Sequence, residues 1–243
     1  MKERMTIEAV SFDAGNTLIR PRTSVGEVYA EAARRHGVEA DGSALDRRFR
    51  QVFEKRRAEF LPAVSRPHTP ERERAFWRGL VAEVFGAEGL WPAVQDRFDE
   101  IFDHLYDAFA RPEPWEVFPD VLPCLALLGE LGIPAVVVSN WDSRLREILA
   151  GLGLLDRFRF VVVSAEVGAE KPDPEIFHGA ARRLGLPPER ILHVGDLVRE
   201  DLLGAQRAGL RAALVDREGT APGHRPVVRD LREIGGWLNG GQP

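Results

Sequence analysis

Four short apolar runs, Ala135 to Ser139, Phe160 to Ser164, Ile191 to Val194 and Ala212 to Val215, punctuate the second half of this chain. Each is too brief for a helix and lacks the polar alternation of a strand with one wet face, so each reads as a strand buried on both sides. Between them, Val121 to Leu131, Ser143 to Leu152, Pro174 to Leu184 and Glu200 to Ala208 carry apolar residues at helical spacing. Buried strands separated by helices can hide both faces only as a parallel sheet covered on each side. A fifth run, Ile7 to Phe12, stands near the N-terminus. The expected fold is therefore α/β, a doubly wound, Rossmann-like parallel sheet.

The stretch from about 24 to 110 has a different texture. Apolar residues recur at helical spacing among many Arg and Glu, which predicts helices over Val25 to His36, Ala44 to Phe60, Pro70 to Val84 and Ala93 to Phe109. Gly37, Pro62 and Gly86 are the expected breaks. The sequence thus predicts an α/β core from 1–19 and 112–243, with an inserted all-helical domain at 20–111. The glycine-rich end, Gly235 to Pro243, is expected to fray.

Hydrophobic residues make up 44% of the chain and charged residues 29%, an ordinary soluble composition that excludes disordered and fibrous classes. The formal net charge of -5 and the absence of a basic cluster interleaved with aromatics argue against a nucleic-acid partner. No apolar run is long enough to span a bilayer, and no signal-peptide pattern opens the chain, so no membrane partner and a cytoplasmic location are expected. Cys124 stands alone and reads as a small buried hydrophobe.

The polar residues that could do chemistry share one topological address. Asp13 follows the first strand, Ser139 and Asn140 end the second, and Asp196 follows the Ile191 to Val194 strand, all at carboxyl ends where ligands bind in doubly wound sheets. Each has a plain alternative as a turn or capping residue. Asp142 and Ser143 read as the N-cap of a helix. His193, on a buried strand and without a closely spaced partner, reads as a satisfied core residue. Lys171 is one of only three lysines among 33 basic residues, a hint that a compact point charge is wanted there.

The segments apolar-run-Asp13-x-x-x-Thr17, apolar-run-Ser139-Asn140, Lys171-Pro172-Asp173-Pro174 and apolar-run-Gly195-Asp196-x4-Asp201, in this order, resemble the four motifs of the haloacid dehalogenase (HAD) superfamily. The helical insertion between the first two resembles that superfamily's small cap domain. The resemblance implies a hydrolase, with Asp13 as nucleophile forming an aspartyl-phosphate, and Ser139, Asn140 and Lys171 binding a small phosphorylated substrate. It implies Mg²⁺ held by Asp13, Asp196 and the backbone carbonyl of Gly15, with Asp201 orienting Lys171 or a metal-bound water and Thr17 holding the motif loop. The runs Tyr29 to Gly37 and Ser139 to Leu145 resemble one subgroup that likewise lacks a second Asp in the first motif.

That missing carboxylate frames the functional question. In phosphatases of the superfamily an Asp two places after the nucleophile protonates the leaving group, help worth roughly 10²- to 10⁴-fold. Here that position is Gly15. Three readings stay open: a phosphatase that is slow without its acid, a catalytically impaired protein that binds metal and phosphate, and a dehalogenase or phosphonatase-like enzyme. The pair Gly195-Asp196 favours a metal and so disfavours the dehalogenases. Lys55, the one lysine of the insertion, is followed by Arg56 and Arg57 and reads as part of a solvated charged face rather than as a Schiff base.

Overall fold

The computed structural model describes residues 6–60, 69–221 and 223–238, the side chains of 57–60 excepted. The chain divides into two compact units, one formed by residues up to Arg20 and from Val117 onward, the other by Pro21–Glu116. Its strands are β1 (Ala9–Phe12), β2 (Ile19–Pro21), β3 (Trp115–Val117), β4 (Ala135–Ser139), β5 (Val161–Val163), β6 (Ile191–Gly195), β7 (Arg211–Val215) and β8 (Val227–Val228). Six of them form a sheet in the order β5-β4-β1-β6-β7-β8, with parallel pairing throughout. β2 and β3 form a separate two-stranded sheet.

The chain lays β4 and β5 on one side of β1, then returns to place β6, β7 and β8 on the other. Strand order therefore reverses at β1, and the carboxyl ends of β4, β1 and β6 open on one crevice. All of β1 is buried, as are all five residues of β4 and of β6. Such central strands can carry polar side chains only where those side chains find partners.

The helix Pro174–Leu184 shows how local chemistry positions the site. Asp173 caps it, its side chain accepting from the Glu175 amide at 2.9 Å, and Pro174 occupies the first turn, where a missing N–H costs nothing. Gly185 ends it at φ 73°, a left-handed turn that glycine adopts freely. Ile176, Phe177, Ala180, Ala181 and Leu184 are buried, in one cluster with Val136, Val138 and Ile191 of the sheet. Burying side chains of the size of Phe177 or Leu184 is worth about 1.5–3 kcal/mol each, and Phe177→Ala would cost about 3–5 kcal/mol. This anchoring holds the segment just before the helix, Lys171 to Asp173, against the ends of the strands.

In the second unit, helices Val25–Arg35, Gly42–Phe60, Pro70–Ala87 and Phe98–Ala108 surround a core that includes Tyr29, Leu45, Leu80, Phe85 and Phe102. Gly86 does not break a helix as expected: Pro70–Ala87 runs through it, and the stop comes at Gly89, at φ 77°. The helix expected over Ala93 to Phe109 begins later, at Phe98, after two short turns over Trp91–Val94 and Gln95–Arg97. The break expected at Pro62 lies outside the described residues. Of the segment expected to fray, Gly235 to Pro243, Gly235–Leu238 forms a helical turn and 239–243 lies outside the described residues.

Candidate active site

The first loop turns sharply after β1. The amides of Leu18 and Ile19 both donate to the Ala14 carbonyl, and the Asn16 amide donates to the Ile19 carbonyl at 2.8 Å. Asn16 takes φ 52°, the left-handed conformation that Asn tolerates better than most residues. The turn leaves Asp13 almost buried, at 7% exposure, at the end of β1. Arg217 holds the loop from behind, its guanidinium donating to the Thr17 carbonyl at 2.9 Å and to Asp120 at 2.6 Å.

Two donors converge on a single Asp13 oxygen. Ser139 Oγ donates to Oδ1 at 2.8 Å, and Lys171 Nζ donates to the same atom at 2.6 Å. Lys171 is 2% exposed and also donates to Asp201 Oδ1 at 2.6 Å. Burial alone would discharge this ammonium. The charges of Asp13 and Asp201 outweigh burial and hold its pKa above the ordinary lysine value. Burial works against the Asp201 carboxylate too, but the Lys171 ammonium and the hydrogen bond from His193 overcome it and hold Asp201 far below the usual carboxylate range.

Asp196 has the opposite balance. Burial, then the negative charges of Asp13 and Asp201, push its carboxyl up to about 8, and Lys171 offsets this only in part. Thr17 Oγ1 donates to Asp196 Oδ1 at 3.4 Å. Asp13, Asp196 and Asp201 each offer an oxygen, and these atoms lie within 4.8 Å of one another. Asp201 is committed through Oδ1 to Lys171 and His193 and through Oδ2 to the Leu197 amide, which leaves Asp13 and Asp196, whose carboxyl is driven to hold a proton, as the hard oxygen donors that suit a small divalent cation such as Mg²⁺.

Asn140, read from the sequence as a substrate contact, has both ends of its side-chain amide engaged elsewhere. Its Nδ2 donates to the Lys171 carbonyl at 2.8 Å and its Oδ1 accepts from the Lys171 amide at 2.7 Å. It fixes the lysine's main chain. Gly195 is required by close packing, since a Cβ there would collide with the Asp201 carboxyl. Asp142 bonds the Arg144 amide and guanidinium, but the helix starts only at Leu145, so it is not the N-cap residue expected.

The position of the missing carboxylate is occupied from the side. A Cβ built on Gly15 would lie 3.1 Å from Cζ3 of Trp141, closer than side chains normally approach. Trp141 is tied down by its main chain: its amide donates to Ser164 Oγ and its carbonyl accepts from both the Ala165 amide and Ser164 Oγ.

Comparison with known proteins follows the same pattern. A family model for haloacid dehalogenase-like hydrolases matches residues 7–209. The chain belongs to that family. It is 36% identical over 225 residues to haloacid dehalogenase-like hydrolase domain-containing protein 3 of Danio rerio, covering 92% of this chain and 91% of that one. It is 32% identical over 217 residues to a glyceraldehyde 3-phosphate phosphatase of Methanopyrus kandleri, covering 87% and 84%. Among solved structures it is similar to an L-2-haloacid dehalogenase from Xanthobacter autotrophicus, with TM-score 0.71 and 24% identity over 96% of this chain and 99% of that one, a likeness of fold alone.

Within this hydrolase two residues near the site escaped sequence reasoning. Arg217 gave no signal, lying beyond all four motifs. His193 was read as a core residue, and it is fully buried, but its Nε2 lies 3.1 Å from Asp201 Oδ1. The available signal was the pair of polar residues, Ser11 and His193, inside otherwise apolar central strands. Phe76 and Trp77, partly buried, pack against the helical core.

Proposed function

We propose that this HAD-like hydrolase is a magnesium-dependent phosphatase for a small phosphorylated metabolite, working through an aspartyl-phosphate on Asp13 and slowed by the lack of an acid at Gly15. The observation that carries this reading is the convergence of Ser139 and Lys171 on one oxygen of Asp13, beside the crowded carboxyls of Asp196 and Asp201. Asp13, Asp196 and the Gly15 carbonyl would hold the ion. Bound there, Mg²⁺ would offset the repulsion between carboxylate and phosphate.

With Oδ1 held by two donors, Asp13 has Oδ2 to attack phosphorus. The P–O bond to the leaving group breaks as the Oδ2–P bond forms, and the departing oxygen takes its proton from water, since Gly15 has none to give. Water then attacks the acyl phosphate and releases inorganic phosphate and free Asp13. Lys171 and Ser139 would supply the donors that the transferring phosphoryl oxygens need. The Methanopyrus kandleri relative is named as a glyceraldehyde 3-phosphate phosphatase, which supports a phosphorylated substrate.

The test is a release assay on acyl, aryl and sugar phosphates with and without Mg²⁺. Release should require the ion and be fastest for acyl and aryl phosphates, whose leaving groups need no acid, and Asp13→Asn should eliminate it. Turnover that persists in Asp13→Asn would refute the nucleophile. A protein that binds Mg²⁺ and inorganic phosphate but releases nothing would be the binding protein that the Gly15 and Trp141 arrangement also allows.

A further inference from the structure

The buried histidine beside the site is bonded to the same atom that holds the lysine. Asp201 Oδ1 receives both Lys171 Nζ, at 2.6 Å, and His193 Nε2, at 3.1 Å, while Oδ2 accepts from the Leu197 amide at 2.9 Å. An ionised carboxylate only accepts, so His193 must carry its proton on Nε2. Its Nδ1 is then an acceptor and faces Ser11 Oγ at 2.9 Å. Burial keeps the ring neutral, holding its pKa below the ordinary value against the pull of Asp201.

Each member of this chain is fixed by the sheet. Ser11 on β1 and His193 on β6 are register partners, which brings the two side chains together across the strands. Phe177 meets the imidazole edge to face, with ring centroids 5.0 Å apart and an interplanar angle of 79°. Any carbonyl would satisfy a buried imidazole. This one is instead aimed at the carboxylate that shares the Lys171 ammonium with Asp13.

We propose that Ser11 and His193 are a positioning pair: Ser11 sets the His193 tautomer, His193 pins Asp201 Oδ1, and that oxygen places Lys171 for a phosphoryl group bound at Asp13. This rests on the phosphatase reading of the site. The geometry gives the pair a distinct signature, because it acts through Lys171 and makes no bond to Asp13 or Asp196. Anion affinity should depend on it and cation affinity should not.

The experiment is calorimetric titration of the purified protein with Mg²⁺ alone and then with inorganic phosphate in saturating Mg²⁺, checked by thermal melting. His193→Phe should weaken phosphate about tenfold, the low end of what second-layer partners of a site usually cost, and leave the Mg²⁺ constant within about twofold. His193→Gln, whose side-chain amide can still donate to Asp201, should recover most of the loss. Ser11→Ala, a far smaller change to the fold, should weaken phosphate in the same direction but less. Wild-type phosphate affinity in folded His193→Phe, or a Gln variant no better than Phe, would overturn the pair. If His193→Phe does not fold, unchanged phosphate affinity in folded Ser11→Ala would overturn it equally. A wild-type protein without phosphate affinity would overturn the phosphatase reading along with it.

Discussion

The strand-end site and the helical unit contain ion pairs of the same length and opposite consequence. Lys171 Nζ lies 2.6 Å from Asp13, with side chains 2% and 10% exposed. Arg78 lies 2.6 Å from Asp99 on the helices, with side chains 45% and 80% exposed. In water the second pair gains little, because solvent screens it and holding two long side chains costs entropy. The first is dry, so its charges are strong toward each other and costly if separated. Distance alone says nothing about what an ion pair does; the dielectric around it does.

Removing the central cation should break that contrast most violently. Lys171→Met leaves Asp13 and Asp201 buried without their shared partner and should destabilise the protein by about 3–5 kcal/mol, read from denaturant unfolding. A loss under 1 kcal/mol would mean that water reaches the carboxylates. The pH dependence sharpens the same point with its sign. Asp196 has a folded pKa raised to about 8 from an unfolded value near 3.8, so the folded state binds the extra proton between them. Its contribution to stability is full below the unfolded value and is lost as pH rises through about 8. The metal-free protein should therefore melt progressively lower as pH rises from 5 to 8, and Mg²⁺ should flatten that slope while releasing a proton on binding. Asp201 runs the other way, its lowered pKa giving stability above the unfolded value that is lost only on strong acidification.

A smaller effect concerns Gly15. Restoring a carboxylate there should raise turnover on alkyl phosphates, but the Trp141 ring stands in its way. The double variant Gly15→Asp/Trp141→Ala should gain at least about tenfold, a fraction of what general acid catalysis can supply, whereas Gly15→Asp alone should gain less. Equal rates in the two variants would show that the indole yields freely. The smallest effect is on the helical surface, where Arg78→Ala should cost less than about 1 kcal/mol in denaturant unfolding.

The difference between the two regions also explains what was legible beforehand. β1, β4, β6 and β7 stood out because burial on both faces demands unbroken apolar runs, and helix Pro174–Leu184 because its cap, proline and glycine all agree. β2, β3 and β8 are two or three residues long and include Arg20, Pro21 and Glu116, so they carry no periodicity to read. At the site, Asp13, Ser139 and Asp196 could be nominated from their places after strands, and Lys171 and Asp201 from motifs that resemble those of the HAD superfamily. The partners of Asn140, His193 and Trp141 could not. Those depend on strand register and on which loops meet, quantities set by the whole sheet rather than by any local pattern.

The central place of β1 has a consequence for how the protein is made. Ser11 and His193, which bond across neighbouring strands, are 182 positions apart in the chain. At synthesis rates of about 5–20 residues per second, β1 must wait on the order of 10 to 40 seconds after leaving the ribosome before its β6 neighbour exists. Through the later part of that interval β1 can pair only with β4, and its other edge stays open. The charged groups at its tip meet their counter-ion only when Lys171 arrives, so the site is among the last parts of the molecule to become itself.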